Sequence, residues 1–146
     1  MSDYLIDTMS YWDAEQSMEW MDERVRAECG EHAANYHFPR MWIPKTGLIV
    51  KDEFNIVLAV AFVYFEKTAA IAYCGWLVAN PGNTPMQSYR AIRLLANSIP
   101  NYARQNGAKC LLTCYGNRGI NRILERSGYQ NGEDCETKFK ILNEKG

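Results

Sequence analysis

Residues 69–91 have the sequence AAIAYCGWLVANPGNTPMQSYRA, in which an apolar run leads into a turn and then into the start of a helix. The run Ala69 to Ala79 has the composition of a strand. Asn80-Pro81-Gly82-Asn83 ends this run, because proline disfavours a helical conformation in the residue before it and Gly-Asn favours turns. Thr84, Pro85 and Gln87 combine a preferred N-cap residue, proline at the first helical position and glutamine three residues after the cap. The segment therefore predicts a strand followed, after a tight turn, by a helix.

The residues before this segment predict one helix and two strands. Apolar residues recur at three- and four-residue steps in 11–34, where Ser10 or Asp13 can cap the helix start and Gly30 either ends or weakens the helix. Two further runs predict strands that form an antiparallel meander with the run Ala69–Ala79. These runs are Gly47–Lys51 and Ile56–Phe65.

The residues after this segment predict two helices and two strands. The helix that begins at Thr84 extends to about Gln105, although Pro100 removes one of its backbone donors. Ala108–Cys114 predicts a fully buried strand, because almost all of its residues are apolar or small. Asn117 can cap a short helix that ends at Ser127-Gly128. The apolar face of that helix consists of Ile120, Ile123 and Leu124. The last predicted strand is Cys135–Leu142.

The order of these elements predicts the fold class. A strand, a helix and a buried strand in succession imply a parallel crossover beside the antiparallel meander. We therefore predict an α/β (α+β) fold with a mixed, mainly antiparallel sheet flanked by helices. A chain of 146 residues suits one domain with its own core, and we expect a single domain over residues 1–146.

Composition excludes several classes of protein. Hydrophobic residues make up 47% and charged residues 23% of the chain, which predicts an ordered globular protein. The longest apolar run, Ile56 to Phe65, is about half of what a membrane-spanning helix needs, so we expect no membrane association. The first residues lack the basic and apolar regions of a signal peptide, and we expect a cytoplasmic location. A pI near 6.1 also argues against nucleic acid as a partner.

Charge is distributed unevenly along the chain. Residues 1–36 contain nine acidic and two basic residues, whereas 88–126 contain seven basic residues and one acidic residue. This asymmetry suits either ordinary solvated faces or a site between an anionic cofactor and a cationic substrate. In the second case, Glu19 and Glu23 on the acidic helix would favour the cationic substrate.

Five cysteines at irregular spacings predict reduced thiols rather than a disulfide framework. Cys29, His32 and His37 have no fourth ligand at a zinc-like spacing, so we predict no metal site. Cys74 and Cys114 have no histidine close in sequence, which argues against a Cys-His nucleophile.

Four stretches between Trp76 and Tyr129 carry a resemblance to a known family. They are a strand ending in Leu-Val-Ala-Asn-Pro at 77–81, a long helix, the segment 103–109 leading into a strand, and 117–129. Together they resemble the GNAT acyltransferases, which have the acyl-CoA N-acyltransferase fold. The last stretch is similar to the family's Asn-x-x-Ala-x-x-x-Tyr-x-x-x-Gly-Phe element, with Ile120, Leu124 and Tyr129 in place of Ala, Tyr and Phe.

The resemblance implies acetyl-CoA as the co-substrate. It implies that two central parallel strands splay apart, that the pantetheine arm lies between them, and that the pyrophosphate meets the N-terminus of the following helix. Free N–H groups and the helix dipole make such a terminus an anion site. The residues implied in cofactor binding are Leu77, Val78, Ala79, Gln87, Ser88, Tyr89, Arg90, Ala91 and Asn117.

The sequence departs from the family at the phosphate loop, whose pattern is Gln/Arg-x-x-Gly-x-Gly/Ala. Depending on the alignment, Tyr89 or Arg90 occupies the position of the central glycine, where only a bare backbone lets phosphates approach closely. Pro85 also removes one N–H donor. Arg90 and Arg93 either compensate by contacting phosphate directly or are ordinary surface residues.

The sequence assigns no catalytic residue. Leu124 stands where the family's proton-donating tyrosine stands, and Tyr115 or Tyr129 is a substitute to be weighed against a packing role. The strand 69–79 contains no carboxylate, and its polar candidates for a base are Tyr73 and Cys74. The nearest carboxylates in sequence lie in predicted turns: Asp52, Glu53 and Glu66.

Two functions follow from the resemblance. The first is an N-acyltransferase that moves an acetyl group from acetyl-CoA to the amine of a small-molecule or peptide acceptor, with a cationic acceptor favoured. The second is a catalytically degenerate GNAT-like binding or structural protein, of the compact kind that resembles proteins encoded by bacteriophages. Trp12, Trp20 and Trp42 either fill the core or form the interface of a homodimer.

Overall fold

The computed structural model describes residues 3–33, 37, 43–113, 115 and 118–132, without the side chains of residues 28, 32 and 33. Cys114, Asn117, Trp42 and the predicted strand Cys135–Leu142 lie outside these residues. The elements in chain order are β1 (Leu5–Thr8), α1 (Tyr11–Cys29), a 3-10 helix (Gly30–Ala33), β2 (Gly47–Lys51), β3 (Val57–Glu66), β4 (Ile71–Ala79), α2 (Pro85–Gln105), β5 (Cys110–Thr113) and α3 (Arg118–Arg126).

The strands form one mixed sheet in the order β1-β2-β3-β4-β5. The pairs β1–β2, β2–β3 and β3–β4 are antiparallel, and β4 pairs with β5 in parallel. The predicted fold class, with a meander followed by a parallel crossover through α2, is confirmed.

Helices cover the two faces of the sheet. On the α1 face, Ala14, Met18 and Met21 of α1 pack against alternate residues of the strands, including Phe62. On the α2 face, α2 and α3 pack against the intervening residues, and Leu95 is fully buried there. Because side chains alternate along a strand, each central strand contributes to both cores.

Both long helices begin with a capping box, which the sequence predicted for α2, whereas for α1 it left Ser10 and Asp13 as alternative caps. Ser10 Oγ accepts from the Asp13 N–H, and the Asp13 carboxylate accepts from the Ser10 N–H. The same reciprocal pair links Thr84 and Gln87 at the start of α2, where Pro85 is the first helical residue. Each box satisfies donors that a helix start would otherwise leave unpaired. At the other end of α1, Gly30 ends the α-helix at a positive φ and a 3-10 helix follows it.

Two predictions about strands were wrong or incomplete. The prediction of a fully buried β5 is wrong, because Cys110 is exposed and Leu112 is 51% exposed. Among the described strands β5 lies at the sheet edge, and only its α2 face is covered, so its burial alternates. Strand β1 was not predicted, because its four residues include Asp7 and Thr8 and form a strand only by pairing with β2.

Candidate functional site

The parallel pair β4–β5 separates halfway along β4. Pairing runs from Ile71 opposite Cys110 to Cys74 opposite Thr113, and no described residue pairs with β4 on that side beyond Cys74. Residues 75–79 of β4 therefore pair only with β3 within the described part of the chain. Among the described residues nothing pairs with this side of residues 75–79, and we call it the open edge of β4.

A β-bulge at Gly75 marks the point of separation. Val63 of β3 lies opposite Cys74 and Phe62 lies opposite Trp76, so Gly75 is an extra residue. A bulge bends its strand and redirects the backbone that follows it. A Cβ on Gly75 would lie 3.0 Å from a ring carbon of Tyr64 and 3.1 Å from one of Tyr73, which explains the glycine.

Backbone direction shows which groups occupy the open edge. The Asn80 N–H donates to the Leu58 carbonyl on β3 at 2.9 Å. Because N–H groups along a strand alternate between its two edges, the N–H groups of Leu77 and Ala79 turn away from β3. The backbone of these two residues is thus available to another extended molecule, as a sheet edge is to an added strand.

Tyr115 contacts β4 at the last paired residue. Its hydroxyl donates to the Cys74 carbonyl at 3.0 Å and lies 3.1 Å from Cys74 Sγ, and Thr113 Oγ1 donates to the same carbonyl at 3.2 Å. Burial raises the pKa of the Tyr115 hydroxyl well above its ordinary value, and the neighbouring Cys74 adds to the shift. Burial also raises the pKa of the Cys74 thiol to about 11, partly opposed by the hydrogen bond from Tyr115. Both groups therefore stay protonated at neutral pH.

A cavity of about 450 Å³ lies at the carboxyl end of β4, and we call it the strand-end cavity. It is bounded by α1, by the end of β4, by the turn that follows and by the first turn of α2. Its lining residues are Trp20, Glu23, Arg24, Ala27, Val78, Ala79, Asn80, Pro81, Asn83 and Ser88.

The start of α2 borders this cavity with most of its donors already used. Thr84 Oγ1 accepts from the Gln87 N–H at 3.2 Å, and the Ser88 N–H donates to the Thr84 carbonyl at 3.1 Å. Pro85 has no N–H. The capping box therefore uses donors that would otherwise face an anion at this terminus.

Comparison with solved structures identifies the fold. An aminoglycoside acetyltransferase from an uncultured soil metagenomic sample, solved with sisomicin, superposes with a TM-score of 0.64 at 9% identity, covering 96% of this chain and 97% of that one. The candidate acetyltransferase YycN of Bacillus subtilis gives a TM-score of 0.60 at 14% identity, over 97% and 100% of the two chains. A Trypanosoma brucei acetyltransferase gives 0.54 at 10% identity, over 95% and 100%.

The chain has the GNAT-like fold of these acetyltransferases. No family model matches the sequence, and no curated protein matches it either. At identities this low the similarity concerns the fold, and the function has to be argued from the site.

Within the GNAT-like fold, the residues predicted to bind the cofactor have different surroundings. Val78, Ala79 and Ser88 line the strand-end cavity. Tyr89 lines a second cavity, between α2 and α3. The remaining predicted residues are placed as follows: the Leu77 and Ala91 side chains are buried in the core, Gln87 belongs to the capping box, the Arg90 guanidinium lies 4.6 Å from the centre of the Tyr4 ring, and Asn117 is outside the described residues.

The structure separates the two tyrosines considered as proton donors. Tyr115 lies where β4 and β5 separate, whereas the Tyr129 hydroxyl donates to the Ala96 carbonyl of α2 at 3.0 Å. Leu124 is buried in the core. Asp52 accepts from backbone N–H groups in the β2–β3 turn, and Glu66 accepts from Thr68 in the next turn, as expected of turn residues.

Sequence reasoning missed an exposed apolar patch beside the bulge. Tyr73, Trp76 and Leu112 lie on the α1 face and are 38%, 36% and 51% exposed. The Trp76 side chain hydrogen-bonds to the Tyr64 hydroxyl, and the Tyr64 and Tyr73 ring centres are 6.3 Å apart. We call Tyr73, Trp76 and Leu112, together with the neighbouring Tyr64, the open patch. Only knowledge of which face each residue occupies, and hence of the bulge, could have predicted it.

Other predictions about special chemistry concern the thiols and metals. Cys29, Cys74 and Cys110 are free, but Cys110 is exposed rather than in the core. No group of three or more metal-ligating side chains occurs among the residues that the structure describes. No helix in the described ranges is long and apolar enough to cross a membrane. Trp20 is buried and Trp12 is exposed.

The buried thiol predicts a loss of stability in alkali. The ordinary pKa of the thiol is 9.0, and in the folded chain it is about 11, so the folded state keeps the proton between these values. The contribution of this thiol to the free energy of unfolding is fully present below about pH 9. It falls as the pH rises towards 11, by about 1 kcal/mol at pH 10. Urea unfolding at pH 8, 9 and 10 should show this fall in the wild type and a smaller one in Cys74→Ala.

Cys110→Ala is the matched control, because Cys110 is an exposed thiol in the same sheet. It should lose stability with pH as the wild type does. Equal pH slopes for Cys74→Ala and Cys110→Ala would show that the Cys74 thiol is not the group responsible.

Proposed function

We propose that the protein is an acetyl-CoA-dependent N-acetyltransferase that acts on the amine of a small-molecule or peptide acceptor. The observation that carries this proposal is the open edge of β4, whose outward N–H groups belong to Leu77 and Ala79 and which reaches the strand-end cavity at Ala79. The GNAT-like fold, shared with solved acetyltransferases, supports the reaction type.

The open edge suits the pantetheine arm of acetyl-CoA. This arm is extended and carries two amide groups, which can pair with backbone groups as an added strand would. Leu77 and Ala79 would bind it through their outward backbone groups, and Val78 and Ser88 would line its path. Acetyl-CoA supplies the acetyl group as a thioester.

The transfer requires two proton movements. The acceptor nitrogen bonds to the thioester carbonyl carbon, the carbon–sulfur bond breaks, the nitrogen loses a proton and the departing thiolate gains one. We assign that second proton to Tyr115, because its hydroxyl donates to the carbonyl of Cys74, the residue before the bulge at which the open edge begins. The raised pKa keeps the hydroxyl protonated at neutral pH but also makes it a weak acid, so the proton transfer requires the thiolate to form within hydrogen-bonding distance of Tyr115.

The acceptor would approach from the α1 face. On the opposite face, the side chains of Cys74 and Leu77 are covered by the core beneath α2 and α3. On the α1 face, the open patch leaves aromatic side chains exposed next to the bulge. Aromatic faces attract amines as cations.

Charge on the α1 face supports a cationic acceptor in part. Glu23 lines the strand-end cavity with Trp20, whereas Glu19 is exposed elsewhere on α1. Arg24 lines the same cavity and opposes the effect of Glu23. The sisomicin complex of an aminoglycoside acetyltransferase with this fold makes polyamines a reasonable part of an acceptor screen.

The start of α2 favours a second function, that of a GNAT-like binding or structural protein without catalytic activity. The capping box and Pro85 occupy the terminus to which the resemblance assigns the pyrophosphate. Leu124 is buried and cannot donate a proton. A binding or structural protein that has kept the fold would have these features too, and binding and turnover measurements distinguish the two functions.

Binding of CoA should depend on the open edge at Ala79. Ala79→Pro removes an N–H that turns away from β3, so the β3–β4 pairing can persist while one donor to the pantetheine arm is lost. In calorimetric titration we expect micromolar binding of CoA and acetyl-CoA by the wild type and at least about tenfold weaker binding by the variant, the cost of one hydrogen bond.

Thermal unfolding of Ala79→Pro controls for a general loss of structure. Equal affinities in the two proteins would exclude the open edge as the binding site. No heat with the wild type at millimolar CoA would favour the second function.

Turnover should depend on Tyr115. With an amine that the wild type acetylates, Tyr115→Phe should lower kcat roughly a hundredfold, as loss of a general acid does. Tyr129→Phe is the control, because its hydroxyl is bonded to α2 and should leave kcat unchanged. We expect the screen to favour cationic over neutral amines. An unchanged kcat in Tyr115→Phe would exclude the proposed role.

A further inference from the structure

A groove of about 440 Å³ lies between α2 and α3, and we call it the helix groove. Tyr89, Arg93 and Asn97 line it from α2, at four-residue steps that place them on one side of the helix. Arg126 closes it from the end of α3. The other lining residues are Ile123 and Ser127.

The helix groove is electropositive. Arg93 and Arg126 come from different helices, and none of the six lining residues is acidic. Within the described part of the chain, neither guanidinium makes an ion pair with a carboxylate. Two exposed arginines that face one cavity, and that have no carboxylate partner among the described residues, favour an anionic ligand.

The polar groups around the two arginines suit a phosphate on a larger molecule. The Tyr89 hydroxyl and the Asn97 amide are available in the lining as further donors. The Ser127 hydroxyl already donates to the Ile123 carbonyl at 2.8 Å, so it offers only its lone pairs. From Tyr89 to Asn97 the groove extends about 12 Å along α2, by the helical rise per residue.

Consecutive residues of α2 line the strand-end cavity and the helix groove: Ser88 lines the cavity and Tyr89 lines the groove. A ligand that extended along α2 from the cavity past Tyr89 would meet Arg93 about one helical turn further on, and Arg126 lines the same groove. The intervening helix terminus offers few donors, because of Pro85 and the capping box.

We propose that Arg93 and Arg126 form a phosphate clamp that holds the nucleotide end of CoA in the helix groove and replaces the helix N-terminus as the main phosphate anchor. This inference rests on the proposed function. The group that the two arginines would bind is a phosphate of the nucleotide. CoA carries two such groups, the 3′-phosphate on the ribose and the diphosphate.

Calorimetric titration of single and double glutamine variants tests the clamp. CoA, dephospho-CoA and adenosine 3′,5′-bisphosphate are titrated into the wild type, Arg93→Gln, Arg126→Gln and the double variant. Arg104→Gln is the matched control, because Arg104 is an exposed arginine in the last turn of α2, away from the groove. Both clamp arginines are exposed, so the variants should keep the wild-type thermal midpoint.

We expect each clamp variant to bind CoA about tenfold more weakly, and Arg104→Gln to bind within twofold of the wild type. If the variants and the wild type bind dephospho-CoA with equal affinity, the clamp holds the 3′-phosphate, which dephospho-CoA lacks. If the variants bind dephospho-CoA more weakly than the wild type does, the clamp holds the diphosphate. Both results support the clamp.

The outcomes also separate this inference from the proposed function. Unchanged CoA affinity in the double variant, with tight binding by the wild type, would overturn the clamp and leave the proposed function standing. Arginine-dependent binding of the bisphosphate without any binding of CoA would support the groove and count against the acetyltransferase. Binding of neither compound by the wild type would overturn both.

Discussion

Among the described residues, the parallel pairing of β4 with β5 extends only as far as Cys74 and Thr113, and the geometry of the candidate site depends on this short pairing. Gly75 adds one residue to β4 at that point, and the bulge returns the strand to β3 with alternate backbone groups turned outwards. A glycine suits this position, because a Cβ would lie 3.0–3.1 Å from the rings of Tyr64 and Tyr73 and would force them to shift. The open edge of β4 begins at this bulge.

The start of α2 shows a conflict between helix stability and anion binding. A capping box and an N-terminal proline stabilise the helix, but they use or remove the same N–H groups that a phosphate would accept from. Arginine side chains do not have this conflict, because they can bind phosphate without interrupting a cap. In the proposed clamp, Arg93 and Arg126 would bind the phosphates in place of the glycine position that Tyr89 or Arg90 occupies.

The elements that short-range sequence patterns specify were predicted correctly. Strands β2, β3 and β4, the capped start of α2 and the end of α3 near Gly128 agree with the predictions. Features that depend on distant partners were missed: β1 exists through its pairing with β2, and the exposure of Leu112 follows from the position of β5 in the sheet. The bulge at Gly75 and the contact from Tyr115 to Cys74 depend on strand register, which hydrophobic alternation does not specify to one residue. The family resemblance supplied the expectation of splayed strands, and in the described residues the pairing of β4 with β5 extends as far as Cys74.

The central claim is that the outward backbone groups of β4 receive the cofactor, and amide resonances measure this directly. In nitrogen–proton correlation spectra of the labelled protein, saturating CoA should shift the Leu77 and Ala79 amides and slow their exchange with solvent, while the amides of β1 stay unchanged. Absence of these changes at saturating CoA, or changes confined to another part of the protein, would contradict the account.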